Sequence, residues 1–359
     1  MNLTDAELIG RLQSVMRGEV DGSVRRRAEY STDASTYRVV PRAVAFPKDA
    51  ADVAAALKVA RETGVPITSR GAGTSCAGNA VGEGIILDFS LHMNKILDID
   101  PAARTARVQP GVIESDLQKA AAKYGLRFGP DPSTQNRATF GGMIGNNACG
   151  PRALGYGRTA DNLLRLDVLT GTGERLRLGP ETAPDDSPTL RSLHDLVLAN
   201  LGTIRTEFGR FSRQVSGYAL EHLLPERGFD VARFLAGSEG TLAVVTGATV
   251  RLAKAPAHTM LVVIGYPTLA SAADAVPAIL PFGPTAAEGI DRRLLHVAGL
   301  PSGDCWVLVE LAGDDQAELA VRAAEAARAA GGLGSVVLSD PTRAAALWRA
   351  RSDAAGRAA

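Results

Sequence analysis

The stretch 130–157, PDPSTQNRATFGGMIGNNACGPRALGYG, limits most sharply what this chain can become. Only small residues stand at Gly141, Gly142, Gly145, Ala148 and Gly150. A segment without bulky side chains lets its backbone approach something flat or anionic very closely. A long surface loop is the plain alternative. A bed for a cofactor is the sharper one, and the rest of the chain decides between them.

The chain has 359 residues, with 39 basic and 39 acidic side chains and no net charge. That length allows one large domain and a second, smaller one. The charge balance gives no footprint for nucleic acid or an anionic membrane surface. No run of apolar residues is long enough for a transmembrane helix. The opening MNLTDAELIG is acidic and lacks an apolar signal core, so a cytoplasmic location is expected. Cys76, Cys149 and Cys305 are far apart and form no C-x-x-C. Neither a disulfide framework nor an iron–sulfur or zinc thiolate site is expected.

Thr4-Asp-Ala-Glu7 is a capping box, which predicts a helix to about Arg17. The polar segment from Gly18 to Tyr37 reads as irregular. From Pro41 strands and helices alternate: strand 43–46, a helix 49–62 capped by Asp49 and stopped at Gly64, and strand 66–70. The apolar run 85–89 reads as a buried strand, followed by strands 96–99 and 105–108 and a helix 113–124. A hairpin is expected over 163–178 around Gly171-Thr-Gly173, then a helix 189–207 and a long strand 241–252. A change of composition at 254–256 marks a boundary. Beyond it the order reads strand 258–266, helix 270–280, helix 292–297, strand 306–311, helix 315–330, strand 336–338 and helix 342–351. This pattern predicts a smaller α+β domain, its antiparallel sheet covered on one face by helices. The division expected is a lead-in over 1–37, a main domain over 38–253 and a second domain over 257–359.

Three glycine-rich segments carry the chemistry. RGAGTSCAGN, 70–79, follows a predicted strand and offers consecutive backbone N–H groups of the kind that nest a diphosphate. It is neither a G-x-G-x-x-G fingerprint nor a Walker motif. The stretch 130–157 is the second, and GSEGT, 237–241, opening the long strand, is the third.

Taken in order, RGAGTSCAG, then PDPSTQNRATFGGMIGNNACG with YGRTADN, then GSEGTLAVV resemble the flavin-binding domain of the vanillyl-alcohol-oxidase-type (PCMH-type) superfamily. The match runs over about 39–252. TDASTYR and NRATFGGMIGNNACG are most similar to the D-lactate/glycolate/D-2-hydroxyglutarate dehydrogenase branch. The resemblance implies an α+β fold: a two-subdomain FAD-binding domain followed by a partial ferredoxin-like cap.

It also implies roles. Main-chain amides of Arg70, Gly71, Ala72, Gly73, Thr74 and Ser75, with Ala77 and Gly78, would hold the FAD diphosphate. Pro130, Ser133 and Thr134 would touch the flavin–ribityl region, and Thr139, Gly141, Gly142, Gly145, Asn146, Asn147 and Gly150 would wrap the diphosphate and isoalloxazine. Glu239, Gly240 and the backbone near Val244 and Val245 would line the adenine or ribityl side. FAD is long, flat in two places and dianionic between them, so it calls for glycines and amides rather than lysines.

Relatives that attach FAD covalently through the first loop carry a His where this chain has Thr74, so the resemblance implies non-covalent FAD. Cys149 reads as a small buried residue beside the cofactor rather than a nucleophile, since no His pairs with it.

The segments VVIGYP, EGIDRRLL and WVLVELAGDD resemble the family's cap, and ALWRARSDAAG resembles its carboxylate-binding helix. Arg351 is then the candidate for the substrate carboxylate, with Arg349 second; a solvated arginine is the alternative. His92, His194, His222, His258 and His296 show no metal-ligand spacing, and no metal site is expected among them. His222 reads as structural. The branch's His-rich H-x-G-D-G-N motif is expected beyond residue 359, and with it the catalytic base.

The activity implied is FAD-dependent oxidation of a D-2-hydroxy acid by hydride transfer to flavin N5. The electrons would pass to a quinone, cytochrome or iron–sulfur partner, with the protein cytoplasmic or peripheral at the inner membrane. Two alternatives stand beside it: an FAD-binding subunit that needs a partner chain for turnover, and a reductase of the enolpyruvyl-sugar type with a nicotinamide donor.

Overall fold

The structure, a computed structural model, describes residues 3–211, 217–294 and 297–358, with side chains described to Asp353. His296 and part of the helix expected over 292–297 lie outside the described residues. The chain divides into two compact units. The first holds Met1–Phe128, Thr134–Ala148 and Arg158–Leu252; the second holds Gly129–Ser133, Cys149–Gly157 and Ala253–Ala359. The stretch singled out in the sequence is therefore shared between them along the chain.

Among its described residues the first unit contains two sheets of four or more strands. One has the strand order Val20–Asp21, Ala43–Ala45, Ile85–Asp88, Ile67–Arg70. Ile85–Asp88 pairs in parallel with both Ala43–Ala45 and Ile67–Arg70 and is buried throughout, as a continuous apolar run inside a parallel sheet must be. Asp49 caps the helix Ala50–Thr63 by accepting from the N–H groups of Ala51 and Asp52. Gly64, at φ 68°, ends it in a left-handed turn open to residues without a Cβ. The other sheet is antiparallel, in the order Ile96–Asp100, Thr105–Val108, Ala243–Arg251, Leu163–Thr170, Arg175–Leu178. Its apolar side chains join Leu117, Phe128, Phe140, Met143 and Ile144 in the largest core.

The lead-in is more ordered than its polarity predicts. It forms the strand Val20–Asp21 and the helix Val24–Glu29, capped by the Ser23 side chain. The helix expected over 189–207 is broken in two, Pro188–Ala199 and Leu201–Glu207, at Asn200 (φ −125°, ψ 20°).

The second unit is built on an antiparallel sheet ordered Ala286–Asp291, Cys305–Gly313, His258–Tyr266, Gly334–Leu338. Strand Ala286–Asp291 was not expected, and Arg292 to Leu294 form a turn rather than the start of a helix. Helices Leu269–Ile279 and Gln316–Ala329 cover one face, packing on Val262, Ile264, Val307 and Val309. The opposite face is not bare. Leu347, Ala344 and Trp348 of the helix Pro341–Ala358 pack on Leu261, Val263, Trp306 and Leu308. The alternation of strand side chains supplies both faces. The class is α+β, as the sequence predicts.

Candidate functional site: three glycine loops meeting at Glu239

In the first unit the three glycine segments come together. The second contains a short helix, Phe140–Asn146, that its glycines had hidden. Phe140, Met143 and Ile144 are buried, so these anchor one side of the helix in the core. The other side carries Gly142 and Gly145. A Cβ on Gly145 would find nothing nearer than Glu239 Cα at 3.8 Å, and one on Gly142 only Thr139 Oγ1 at 3.4 Å. A helix face without side chains is left open. Thr139 caps the helix, its Oγ1 accepting from Gly142 N–H.

The first loop lies against the same cap. A Cβ on Gly71 would collide with the Thr139 side chain, so only glycine permits that approach. Arg70 does not point its charge into the loop's open side. Its guanidinium donates to Ala80 O and Thr32 O, each at 2.9 Å, and lies over the Tyr30 ring. Gly73 O accepts from Ala34 N–H at 3.0 Å, and Asp33 accepts from Ala80 N–H, so TDASTYR forms a second layer behind the loop. The amide of Ala77 donates to Ser75 Oγ at 3.2 Å and is committed within the loop.

The third loop closes the set. Gly237 N–H donates to Ile144 O and Glu239 N–H to Gly145 O, both at 2.9 Å. Glu239 has a positive φ of 54°, unusual for a residue with a side chain. Its Oε1 accepts from Asn146 Nδ2 at 2.8 Å. Burial raises the pKa of this carboxyl above its usual range, opposed by hydrogen bonds from Asn146 and Asn79. Asn79, from the first loop, is a residue the sequence reading left out. Its Oδ1 is held by Ser75 Oγ at 2.9 Å. One carboxyl thus ties all three loops.

Asn147 is buried in a left-handed turn, its Oδ1 accepting from Ala160 N–H at 2.9 Å. Gly141 packs on Pro110. Thr134 O accepts from the N–H groups of Arg137 and Ala138. Val244 and Val245 send their side chains into different hydrophobic clusters, leaving main chain as what they can offer a ligand. The strand Thr105–Val108 pairs only with Ala248 to Arg251 of that long strand. The stretch from Ala243 to Gly247 therefore pairs with a strand on one edge alone among the described residues. Ser69 Oγ, beside Gly240, is buried without a partner.

Pro130, Ser133 and Gly150 belong to the second unit. Pro130 is buried and Ser133 exposed. Gly150 sits where any Cβ would strike Asp131 O. Cys149 is half-buried rather than buried. Arg351 is paired with Glu288 of the strand Ala286–Asp291, and Arg349 is exposed. His92 is bonded to Glu19, His194 packs edge-on against Phe229, and His222 is buried, with desolvation lowering its pKa. Among the described residues no group of three or more His, Cys, Asp or Glu side chains could hold a metal ion. Nor, among the described residues, is any helix long and apolar enough to cross a membrane.

The loops fit an FAD-sized group: a bare helix face, glycines at close approaches, an unpartnered hydroxyl and a strand edge. Comparison with known proteins agrees. Residues 41–179 match the family described as FAD binding domain, and residues 255–359 match the FAD linked oxidases, C-terminal domain. The chain thus matches an FAD binding domain followed by the C-terminal domain of the FAD linked oxidases. It is 33% identical over 336 residues to a D-2-hydroxyglutarate dehydrogenase of Escherichia coli, covering 85% of this chain and 33% of that protein. A glycolate oxidase subunit of Bacillus subtilis is 33% identical over 80% of this chain and 55% of its own length. A D-lactate dehydrogenase of Archaeoglobus fulgidus is 32% identical, covering 86% and 62% respectively. The chain therefore spans about a third to about three fifths of these relatives. The fold is similar to solved structures of alkyldihydroxyacetonephosphate synthase (TM-score 0.71, 17% identity, 98% of this chain and 63% of that one). It is also similar to Physcomitrella patens BBE-like 1 (TM-score 0.65, 16% identity, 95% and 64%).

Proposed function

We propose that this chain is the flavin-holding portion of an FAD-dependent dehydrogenase that oxidises a D-2-hydroxy acid such as D-lactate, glycolate or D-2-hydroxyglutarate. The observation that carries this reading is the meeting of three glycine loops at Glu239, beside the open face of Gly142 and Gly145. The amides of the first loop would hold the diphosphate, and the bare helix face would receive a flat ring. FAD, when bound, supplies the acceptor for the substrate hydride. Thr74 has no nucleophilic nitrogen for the flavin, so the cofactor is held without a covalent bond. Arg351 orients the substrate carboxylate through its fork of N–H donors. A quinone, cytochrome or iron–sulfur protein takes the electrons onward.

A second reading is a subunit that binds FAD and turns over only with a partner chain. It is favoured by the histidines. Those whose contacts are described are engaged with Glu19, packed on Phe229 or buried, and none is found at the glycine loops. Anaerobic mixing of the FAD-loaded protein with each acid separates the readings. Bleaching of the flavin supports the first. Tight FAD with no bleaching by any acid supports the second. Bleaching by NADPH alone would overturn both in favour of a reductase.

A further inference from the structure

Within the second unit, one arginine joins four separate parts of the chain. Arg152 donates from Nε to Glu310 Oε1 at 2.7 Å and from Nη2 to Glu310 Oε2 at 2.5 Å, a two-pronged bond to the central strand Cys305–Gly313. Its Nη1 donates to Asp131 Oδ2 at 2.6 Å, and its own backbone N–H to Asp131 Oδ1 at 3.0 Å. The guanidinium also lies over the Trp348 ring, 5.5 Å from its centre. Asp131 and Glu310 are only 5% and 4% exposed. Two neighbouring contacts reinforce the arrangement. Thr285 Oγ1 donates to Glu310 Oε1 at 2.8 Å, and Gly155 N–H donates to Thr285 O at 3.0 Å.

What matters is where these residues lie in sequence. Asp131 belongs to Gly129–Ser133, and Arg152 belongs to Cys149–Gly157. These two segments immediately precede and follow Thr134–Ala148, the piece of the first unit that carries Thr139, Gly142, Gly145 and Asn146. The glycine loop is therefore entered and left through two stems that a single guanidinium binds to each other and to Glu310. Gly150 admits the approach, because a Cβ there would strike Asp131 O. A loop whose two ends are fixed has less freedom to lose when it closes on a ligand.

We propose that Arg152 is a positioning residue for FAD: by clamping Asp131 to Glu310 it fixes both stems of the loop that holds the cofactor. This rests on the reading of Thr134–Ala148 as part of the FAD bed. The role needs the fork rather than the charge alone, since three N–H groups are used at fixed angles.

The test uses the full chain, with FAD as the titrant. Its readouts are the FAD dissociation constant, the shape of the visible flavin bands and the melting temperature without FAD. Arg152→Gln alone leaves two buried carboxylates and is prone to unfolding, so two other variants carry the test. Arg152→Lys keeps the charge and loses the fork. Arg152→Gln combined with Asp131→Asn and Glu310→Gln removes the guanidinium together with both buried carboxylates it pairs. Both should melt close to the wild type, yet bind FAD about tenfold or more weakly, with altered flavin bands. Either variant binding FAD with the wild-type constant and spectrum overturns the proposal. Gly145→Val tests the underlying reading separately. If Gly145→Val binds FAD as the wild type does, the loop assignment itself fails. If it loses FAD while both Arg152 variants keep it, only the role of Arg152 fails.

Discussion

Asn146 Nδ2 donates to Glu239 Oε1 at 2.8 Å, across 93 residues of sequence. This bond, with the backbone pair Glu239 N–H to Gly145 O, fastens the opening of the strand Ala243–Arg251 to the bare-faced helix Phe140–Asn146. The carboxyl is partly buried, and its neighbours are amides rather than cations. Such a group binds its proton more tightly folded than unfolded.

The sign of that shift gives a pH prediction. A carboxyl raised in the folded state contributes stability that is complete below its unfolded pKa and is lost as pH rises through the folded one. Glu239→Gln keeps an oxygen for Asn146 and cannot ionise. The melting temperature of the cofactor-free variant should gain on the wild type as pH climbs from the ordinary carboxylate range. Parallel melting curves across that window would show that Glu239 does not titrate differently on folding.

Gly145→Ala separates folding from binding. The nearest atom to an added Cβ is 3.8 Å away, and alanine is favoured over glycine inside a helix by about 1 kcal/mol. The cofactor-free variant should melt at or above the wild-type temperature. Its FAD dissociation constant should nevertheless rise, because the methyl group stands where the flat ring is proposed to lie. An unchanged constant by fluorescence titration would move the ring elsewhere.

Much of this arrangement was legible in the sequence because its causes are local. Thr4 and Glu7 form the capping box they spell, and Asp49 and Gly64 start and stop their helix. The elements that were missed depend on distant partners. Ala286–Asp291 has little strand propensity of its own and is held by pairing with Cys305–Gly313. The helix Phe140–Asn146 was masked by glycines that weaken helices in isolation, and it is set by burial of Phe140, Met143 and Ile144. Glycine spacing exposed the loops, but nothing local in SEG or AGN announces that Glu239 and Asn79 would meet.

Non-covalent attachment has a direct assay. Acid precipitation of the FAD-loaded protein should leave the yellow colour in the supernatant. Flavin remaining in the pellet would show a covalent bond, made by some residue other than Thr74.

FAD should also stabilise the fold by mass action. At one hundred times its dissociation constant, a ligand confined to the folded state adds about 2.7 kcal/mol. A melting temperature that rises with FAD concentration is expected. A flat response at saturating FAD would contradict the cofactor assignment as a whole.

Arg351 offers the sharpest test of substrate chemistry. It is paired with Glu288, and both side chains are about a quarter exposed, at 22% and 24%. On the proposed role of Arg351, a substrate carboxylate would share or displace Glu288. Arg351→Ala should raise the acid concentration needed for half-maximal flavin bleaching; because the pair is largely buried the variant should also melt lower, so the half-saturating concentration is the deciding readout. Glu288→Gln removes the internal competitor while keeping a hydrogen-bond acceptor for the guanidinium. It should lower that concentration and leave the limiting bleaching rate unchanged. A role confined to structure predicts a different pattern: the melting temperature would fall, but neither variant would shift the half-saturating concentration. That outcome would remove Arg351 from the binding of the acid.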